Sequence, residues 1–371
     1  MKFMHIGDLH IGKRVNEFPM IEDQKIILEQ ILNIAQEQKV DGIFIAGDIY
    51  DKTIPSIEAI EVFETFIEKI TKLKIPTYIV SGNHDSVERL SIFSNLIKDS
   101  KIYISKSYNG KITPLVNKNI AIWLLPFIRP ADVRRFHPDI EIGSYQDAVE
   151  KVVANLDIDK NKTNIIIAHQ FITANGKGPE TSDSENCSLG TLDNVDFSVF
   201  NNFDYVALGH IHKPQSMGRK EVRYCGSPLK YSFSEVNQKK SVSIINIAQK
   251  NKLKIETFEL KPLKDMKEIK GSLNELLQYN KDDSYMHITL TDVNVIDAKT
   301  KLETIFPNIM KLDFEEYNLL SDSDRNLKKL KEKNIFEHFS EFFEKQTTQK
   351  LSKEESKIVL DLLENTQGAA E

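Results

Sequence analysis

The sequence predicts an α/β fold followed by a small α+β unit and a C-terminal helical pair. Three observations carry this. Five short apolar runs, at 3–6, 42–46, 77–80, 165–168 and 205–208, punctuate the first part of the chain. Amphipathic stretches separate them. Beyond 320 the strand-like runs stop and two helical stripes follow.

The elements follow in order. The stretch 24–36 places Ile27, Leu28, Ile31, Leu32 and Ala35 on one face, which predicts a helix. The stretch 56–73 begins after Pro55, with Ser56 as N-cap and Ile60, Phe63, Ile67 and Ile70 at helical spacing. From 222 to 260 the pattern is that of strands, notably 242–247 and 253–260. A second unit is expected from 261: helix 272–279, strand 285–290, helix 298–306 and strand 310–314. In the tail, 334–344 carries Ile335, Phe336, Phe339, Phe342 and Phe343 on one stripe. A second helix is expected to start at Ser352, with Glu355 completing a capping box and Ile358, Leu360, Leu362 and Leu363 apolar. The segment 173–193 reads as a flexible loop. The expected domains are 1–260, 261–320 and 321–371.

Composition excludes several classes. The chain has 371 residues, 49 Lys+Arg against 55 Asp+Glu, a net charge of −6 and a hydrophobic fraction of 40%. A disordered or collagen-like chain is excluded. No apolar run approaches the ~18 residues of a membrane span, so no membrane partner is expected. Cys187 and Cys225 make no disulfide framework and have no zinc spacing nearby. The expected location is cytoplasmic. The acidic balance by itself argues against a nucleic-acid partner, since domains that bind one usually carry an excess of Lys and Arg.

The chemistry lies where the apolar runs end. The first closes in Gly7-Asp8-Leu9-His10, the second in Gly47-Asp48-Ile49-Tyr50-Asp51, the third in Gly82-Asn83-His84-Asp85. The fourth ends at His169, the fifth at Gly209-His210-Ile211-His212. Residues just past the carboxyl ends of strands converge on one crevice in an α/β sheet. One Asp after a glycine is usually a turn residue. Such residues in five loops at once are hard to explain as turns. Mixed oxygen and imidazole donors without a thiolate suit Mn²⁺, Fe²⁺ or Zn²⁺. An Asp, His, Asp, Asn, His, His and His set gives seven donors, too many for one ion and suited to two, with a carboxylate between them. Two ions ~3.5–4 Å apart clamp the attacking and leaving oxygens of a phosphoryl displacement. Phosphoester hydrolysis is the expected reaction.

These residues together, Asp8-x-His10, Gly47-Asp48-x-x-Asp51, Gly82-Asn83-His84-Asp85, His169 and Gly209-His210-x-His212, resemble the calcineurin-like metallophosphoesterase superfamily. Within it the chain is similar to the bacterial DNA-repair nuclease subunits. The additional matches are Ser182-Asp183-Ser184-Glu185, the run from Leu208 to Gln215, and the run from Gly226 to Glu235. The resemblance implies an α/β sandwich of two mixed sheets, then a capping domain and a helical segment that binds an ATPase. It also implies roles. Asp8, His10 and His212 would hold one divalent ion, Asn83, His169 and His210 the other, with Asp48 bridging. The ions would be Mn²⁺. His84 would lie beside the scissile phosphate as a catalytic residue, oriented by Asp51. Asp85 would support its loop.

The implied activity is exonuclease on double-stranded DNA ends and endonuclease on hairpins or single strands. The chain has no Gly-x-x-x-x-Gly-Lys-[Ser/Thr] loop, so ATP control would come from the partner ATPase docked on the C-terminal helices. A homodimer is implied, with 57–70 and 90–97 as candidate surfaces. Lys261, Lys264, Lys267 and Lys270 could form a phosphate-contacting edge or an ordinary solvated connector. The competing enzyme is a small-molecule phosphodiesterase or protein phosphatase. Against it, no Arg-Gly follows the second motif, and the third ends in Asp85 rather than Glu. A scaffold with a degenerate site is the non-enzymatic alternative.

Overall fold

The computed structural model describes residues 1–185, 193–250, 252–292 and 295–315, and then 339–340, 343–344, 350–352, 355–356 and 359. Cys187 and the apolar tail positions Ile335, Phe336, Phe342, Ile358, Leu360, Leu362 and Leu363 lie outside the described residues. Among the described tail positions, the rings of Phe339 and Phe343 stack at 6.4 Å. Ser352 and Glu355 make the reciprocal bonds of a capping box, at 2.8 and 3.2 Å.

In chain order the principal strands are β1 (Lys2–Ile6), β2 (Gly42–Ala46), β3 (Thr77–Val80), β4 (Ile102–Ile104), β5 (Leu115–Asn117), β6 (Ile120–Leu124), β7 (Thr163–His169) and β8 (Tyr205–Gly209). They continue with β9 (Gln215–Met217), β10 (Arg219–Tyr224), β11 (Ser241–Gln249), β12 (Lys252–Glu259), β13 (Met266–Gly271), β14 (Tyr285–Leu290) and β15 (Ile309–Phe314). The principal helices are α1 (Ile21–Glu37), α2 (Ile57–Lys72) and α3 (Tyr145–Ala154).

Two six-stranded sheets form, in the orders β12-β11-β1-β2-β3-β4 and β9-β10-β8-β7-β6-β5. Both are mixed. β1 to β4 pair in parallel, while β11 and β12 add an antiparallel edge. In the second sheet β6, β7, β8 and β10 are parallel, with β5 and β9 antiparallel at the edges. Alternation along the strands builds three apolar layers. Phe3, Phe44, Tyr78, Ile165, Ile167, Tyr205 and Ile245 fill the space between the sheets. Phe3 and Phe44 stack at 4.8 Å there, each contributing ~1.5–3 kcal/mol of burial. Helices α1 and α2 cover the outer face of the first sheet, and α3 that of the second.

Ser56 caps α2 by accepting from the Ala59 amide. The buried stripe of α2 is Ala59, Val62, Phe63, Phe66 and Ile70, while Ile57 and Ile60 are exposed. This corrects the expected stripe at Ile60, while Ile67 is half-buried against the core as expected. The helix is apolar on more than one face, and packing selects which one is buried.

The chain divides into two compact units. The first comprises Met1–Ile269, Asn280–Ile288 and Lys299–Lys311, and it contains both six-stranded sheets. The second comprises Lys270–Tyr279, Thr289–Ala298 and the described part of Leu312–Glu371. A three-stranded sheet runs in the order β13-β14-β15. The expected helix 272–279 is only Leu273–Leu276, because the Gln278 and Tyr279 amides bond three residues back and tighten the turn. Strand β13 was not expected; its exposed charges hide the alternation. Lys267 pairs with Asp282 at 2.6 Å, and Lys270 pairs with Glu315. Two of the four lysines of the candidate phosphate edge are thus already engaged. No helix among the described residues is long and apolar enough to cross a membrane.

Candidate metal centre

The site is assembled where parallel strands of both sheets end. β1 delivers Asp8 and His10, β2 Asp48 and Asp51, β3 Asn83 and His84. β7 ends at His169, and β8 delivers His210 and His212. The loops lock to one another through the backbone: the Asp8 amide donates to Gly47 O at 3.0 Å and the His10 amide to Asp48 O at 2.9 Å. Asp8, His10, Asp48 and His210 all have positive φ, at 51°, 44°, 47° and 104°. Four such non-glycine residues in one site store backbone strain, which the interlocked loops sustain. At Gly209 a Cβ would lie 1.8 Å from Ala46 O, and at Gly82 it would lie 2.1 Å from Asp48 Oδ1. Only glycine allows this approach of the loops.

The side chains form adjoining groups. Asp8, His10 and His212 each offer a donor atom within 4.8 Å of the others, as do Asp48, His169 and His210. Asn83 completes the second group, its Oδ1 lying 3.0 Å from both His169 Nε2 and His210 Nδ1. Asp48 Oδ2 lies between the groups, 3.3 Å from His169 Nε2 and 3.6 Å from His10 Nε2. His10 Nε2 and His212 Nε2 approach to 3.0 Å. Two donors held at right angles ~2.1 Å from a common cation lie about 3.0 Å apart. Asp8 Oδ2 is buried without a hydrogen-bond partner, a costly state that a cation relieves. The donor set therefore fits divalent cations.

Hydrogen-bond polarity agrees. His169 Nδ1 lies 2.8 Å from Ala46 O. A carbonyl only accepts, so Nδ1 carries a proton and Nε2 is the nitrogen that faces the site. Burial lowers the pKa of His10 and His212 and brings that of His210 to about 3. These rings are neutral donors at neutral pH. Burial disfavours charge on His169 too, but Asp48 and Asp8 push it up to about 9. For Asp48, burial is overcome by His169, His10 and His84, which hold the carboxyl well below the usual range. Burial and neighbouring Asp48 push Asp8 well above it.

His84 sits at the margin. Its ring stands edge-on to His10 at 4.8 Å, its amide donates to Asp48 Oδ1 at 2.9 Å, and its Nδ1 donates to the main-chain carbonyl of Asp51 at 2.8 Å. Asp51 thus meets His84 through its backbone carbonyl. The carboxylate pairs with Lys13 at 2.8 Å and lies 3.6 Å from His10 Nδ1. Asp85 accepts from the Ile49, Tyr50 and Gly82 amides at 3.1, 3.0 and 2.9 Å and ties two loops together.

The surrounding shell was not legible in the sequence. Gln24 of α1 donates to His10 O at 2.7 Å, and Tyr231 donates to Leu9 O at 2.5 Å. Segment 180–185, expected to be flexible, is held by bonds from Ser182, Asp183, Ser184 and Glu185 to His212, Ser234, Glu235 and Gln238. The Ser182–Glu185 motif was visible, but nothing local said what it touches.

Comparison with known proteins agrees with this architecture. The family model for calcineurin-like phosphoesterases matches residues 1–214, and one described as the type 5 capsule protein repressor C-terminal domain matches 262–347. The chain belongs to the calcineurin-like phosphoesterase family. It is 37% identical to the D subunit of the SbcCD nuclease of Staphylococcus epidermidis over 378 aligned positions, covering 98% of each chain. Among solved structures, TT1561 of Thermus thermophilus is 13% identical with a TM-score of 0.44, over 70% of this chain and 99% of that one. A dimetal phosphatase from Danio rerio is 13% identical with a TM-score of 0.41, over 69% and 95%.

Proposed function

We propose that this chain is the nuclease subunit of an SbcCD-type complex. In this reading it hydrolyses phosphodiester bonds at double-stranded DNA ends as an exonuclease, and in hairpins or single strands as an endonuclease. It acts in the cytoplasm in DNA repair, recombination and replication. The observation that carries the reading is two groups of buried donors meeting at Asp48, in a chain similar over its whole length to a nuclease subunit.

Asp8, His10 and His212 would hold one ion, Asn83, His169 and His210 the other, with Asp48 shared; Mn²⁺ suits this oxygen and imidazole set. Bound divalent ions supply positive charge to the phosphate and lower the pKa of water. The protein's own part is positioning. The strand-end loops fix the donors, and Asp51 O aims His84 at the reacting phosphate. From there His84 stabilises the developing charge or protonates the leaving oxygen.

The domain reading remains 1–260 for the nuclease, 261–320 for the cap and 321–371 for the helical segment that docks the SbcC ATPase. A second copy would cover Ile57, Ile92 and Leu96, which are 76%, 70% and 75% exposed. The net charge of −6 implies weak DNA affinity for the isolated subunit, so grip depends on dimerisation and the ATPase.

With Mn²⁺, purified protein is expected to degrade end-labelled duplex DNA and to leave a cyclic dinucleotide and a phosphopeptide intact. Preference for either small substrate would replace the nuclease reading. Deleting 334–371 is expected to abolish co-purification of SbcC while leaving two bound metals. Undiminished co-purification would move the docking surface elsewhere.

A further inference from the structure

We infer that Ser184 and Glu235 fix the tautomer of His212 and thereby set the cation affinity of the Asp8–His10–His212 group; this rests on the metal-centre reading above. Ser184 and Glu235 are then positioning residues, acting through His212.

The chain of bonds has only one consistent polarity. Glu235 is fully buried. Its Oε2 lies 2.5 Å from Lys240 Nζ, an ammonium that is itself buried and also donates to His212 O and Ser227 Oγ, both at 2.9 Å. Paired in this way, Glu235 is a carboxylate, and a carboxylate only accepts. Its Oε1 lies 2.6 Å from Ser184 Oγ, so the Ser184 hydroxyl proton points to Glu235. The Ser184 lone pairs remain for His212 Nδ1, at 2.7 Å. Nδ1 must therefore carry the imidazole proton. The opposite tautomer would set two lone pairs against each other at that distance.

The consequence falls on the other nitrogen. His212 Nε2 keeps its lone pair and directs it at the group, 3.0 Å from His10 Nε2. The ring is steadied from the backbone as well, because the His212 amide donates to Glu185 Oε1 at 2.6 Å. Outer partners of this kind orient a ligating histidine and raise its basicity, and losing one typically costs ~10–100-fold in metal affinity. Among the described residues no comparable side-chain relay reaches His169, whose Nδ1 proton goes to Ala46 O. The two groups should therefore respond differently to loss of the relay.

The test is Co²⁺ titration of the full chain, followed by calorimetry and by the visible absorption of the bound ion, for wild type, Ser184→Ala and Ser184→Thr. Wild type should bind two equivalents. Ser184→Ala should lose ~10–100-fold in affinity at one site only, and Ser184→Thr, which keeps the hydroxyl, should restore it. In metal-free protein labelled with ¹⁵N-histidine, the His212 ring should show the Nδ1–H form in wild type and lose that preference in Ser184→Ala. Two wild-type affinities in Ser184→Ala, or an unaltered His212 tautomer, would overturn the inference alone. A wild-type chain that binds no Co²⁺ would overturn the metal-centre reading with it.

Discussion

Replacing His84 with alanine is expected to lower DNA hydrolysis by ~10²–10⁴-fold while both ions stay bound. The loss follows from position. The Nδ1 proton is committed to Asp51 O at 2.8 Å, so the ring is held in one tautomer and proton transfer falls to Nε2. The retention of metal is the sharper half of the prediction. His84 also forms a group of possible donors with His10 and Asp48, so a ligand role is geometrically open. Metal content by mass spectrometry, read beside the cleavage rate, separates the two roles. A metal-depleted His84→Ala protein would place His84 among the ligands, and a metal-replete, active one would remove it from the chemistry.

Asp48→Ala is expected to lose both ions. Its carboxylate is the group within reach of both clusters, 3.3 Å from His169 Nε2 and 3.6 Å from His10 Nε2. The loss at each site should exceed the ~10–100-fold cost of removing an outer partner. Thermal unfolding reports it without a substrate. A ligand at a hundred times its Kd stabilises the folded state by about 2.7 kcal/mol; Mn²⁺ should raise the Tm of wild type and leave that of Asp48→Ala unchanged. The metal-free variant should also be less stable than metal-free wild type, because the buried carboxylate that accepts from the His84 amide and pairs with His169 is lost. A variant that keeps one ion at wild-type affinity would show that Asp48 serves a single site.

The two substitutions depend on different kinds of information. His84 and Asp48 stand out in the sequence because each lies just past a glycine at the end of an apolar run, and strand ends are where an α/β sheet exposes its chemistry. The distribution of such residues over five loops was equally plain. What each contacts was not. Asp51 was expected to orient His84; the contact present is from His84 Nδ1 to the Asp51 carbonyl oxygen, while Lys13 pairs with the Asp51 carboxylate. Residue type says little about which atom of a residue is used.

The sequence by itself determined the five apolar runs that become β1, β2, β3, β7 and β8, the cap at Ser56, the loops that carry the donors, and the family. Those are local properties: periodicity, glycine placement and short motifs act within a few residues of one another. Tertiary structure alone decided that α2 buries Ala59 and Phe66 and exposes Ile57 and Ile60. It alone placed Ser184 and Glu235, 51 positions apart, within hydrogen-bond reach. A stretch that reads as an acidic loop around 180–185 meets His212 through Ser184 and Glu185, a contact that only the folded chain makes.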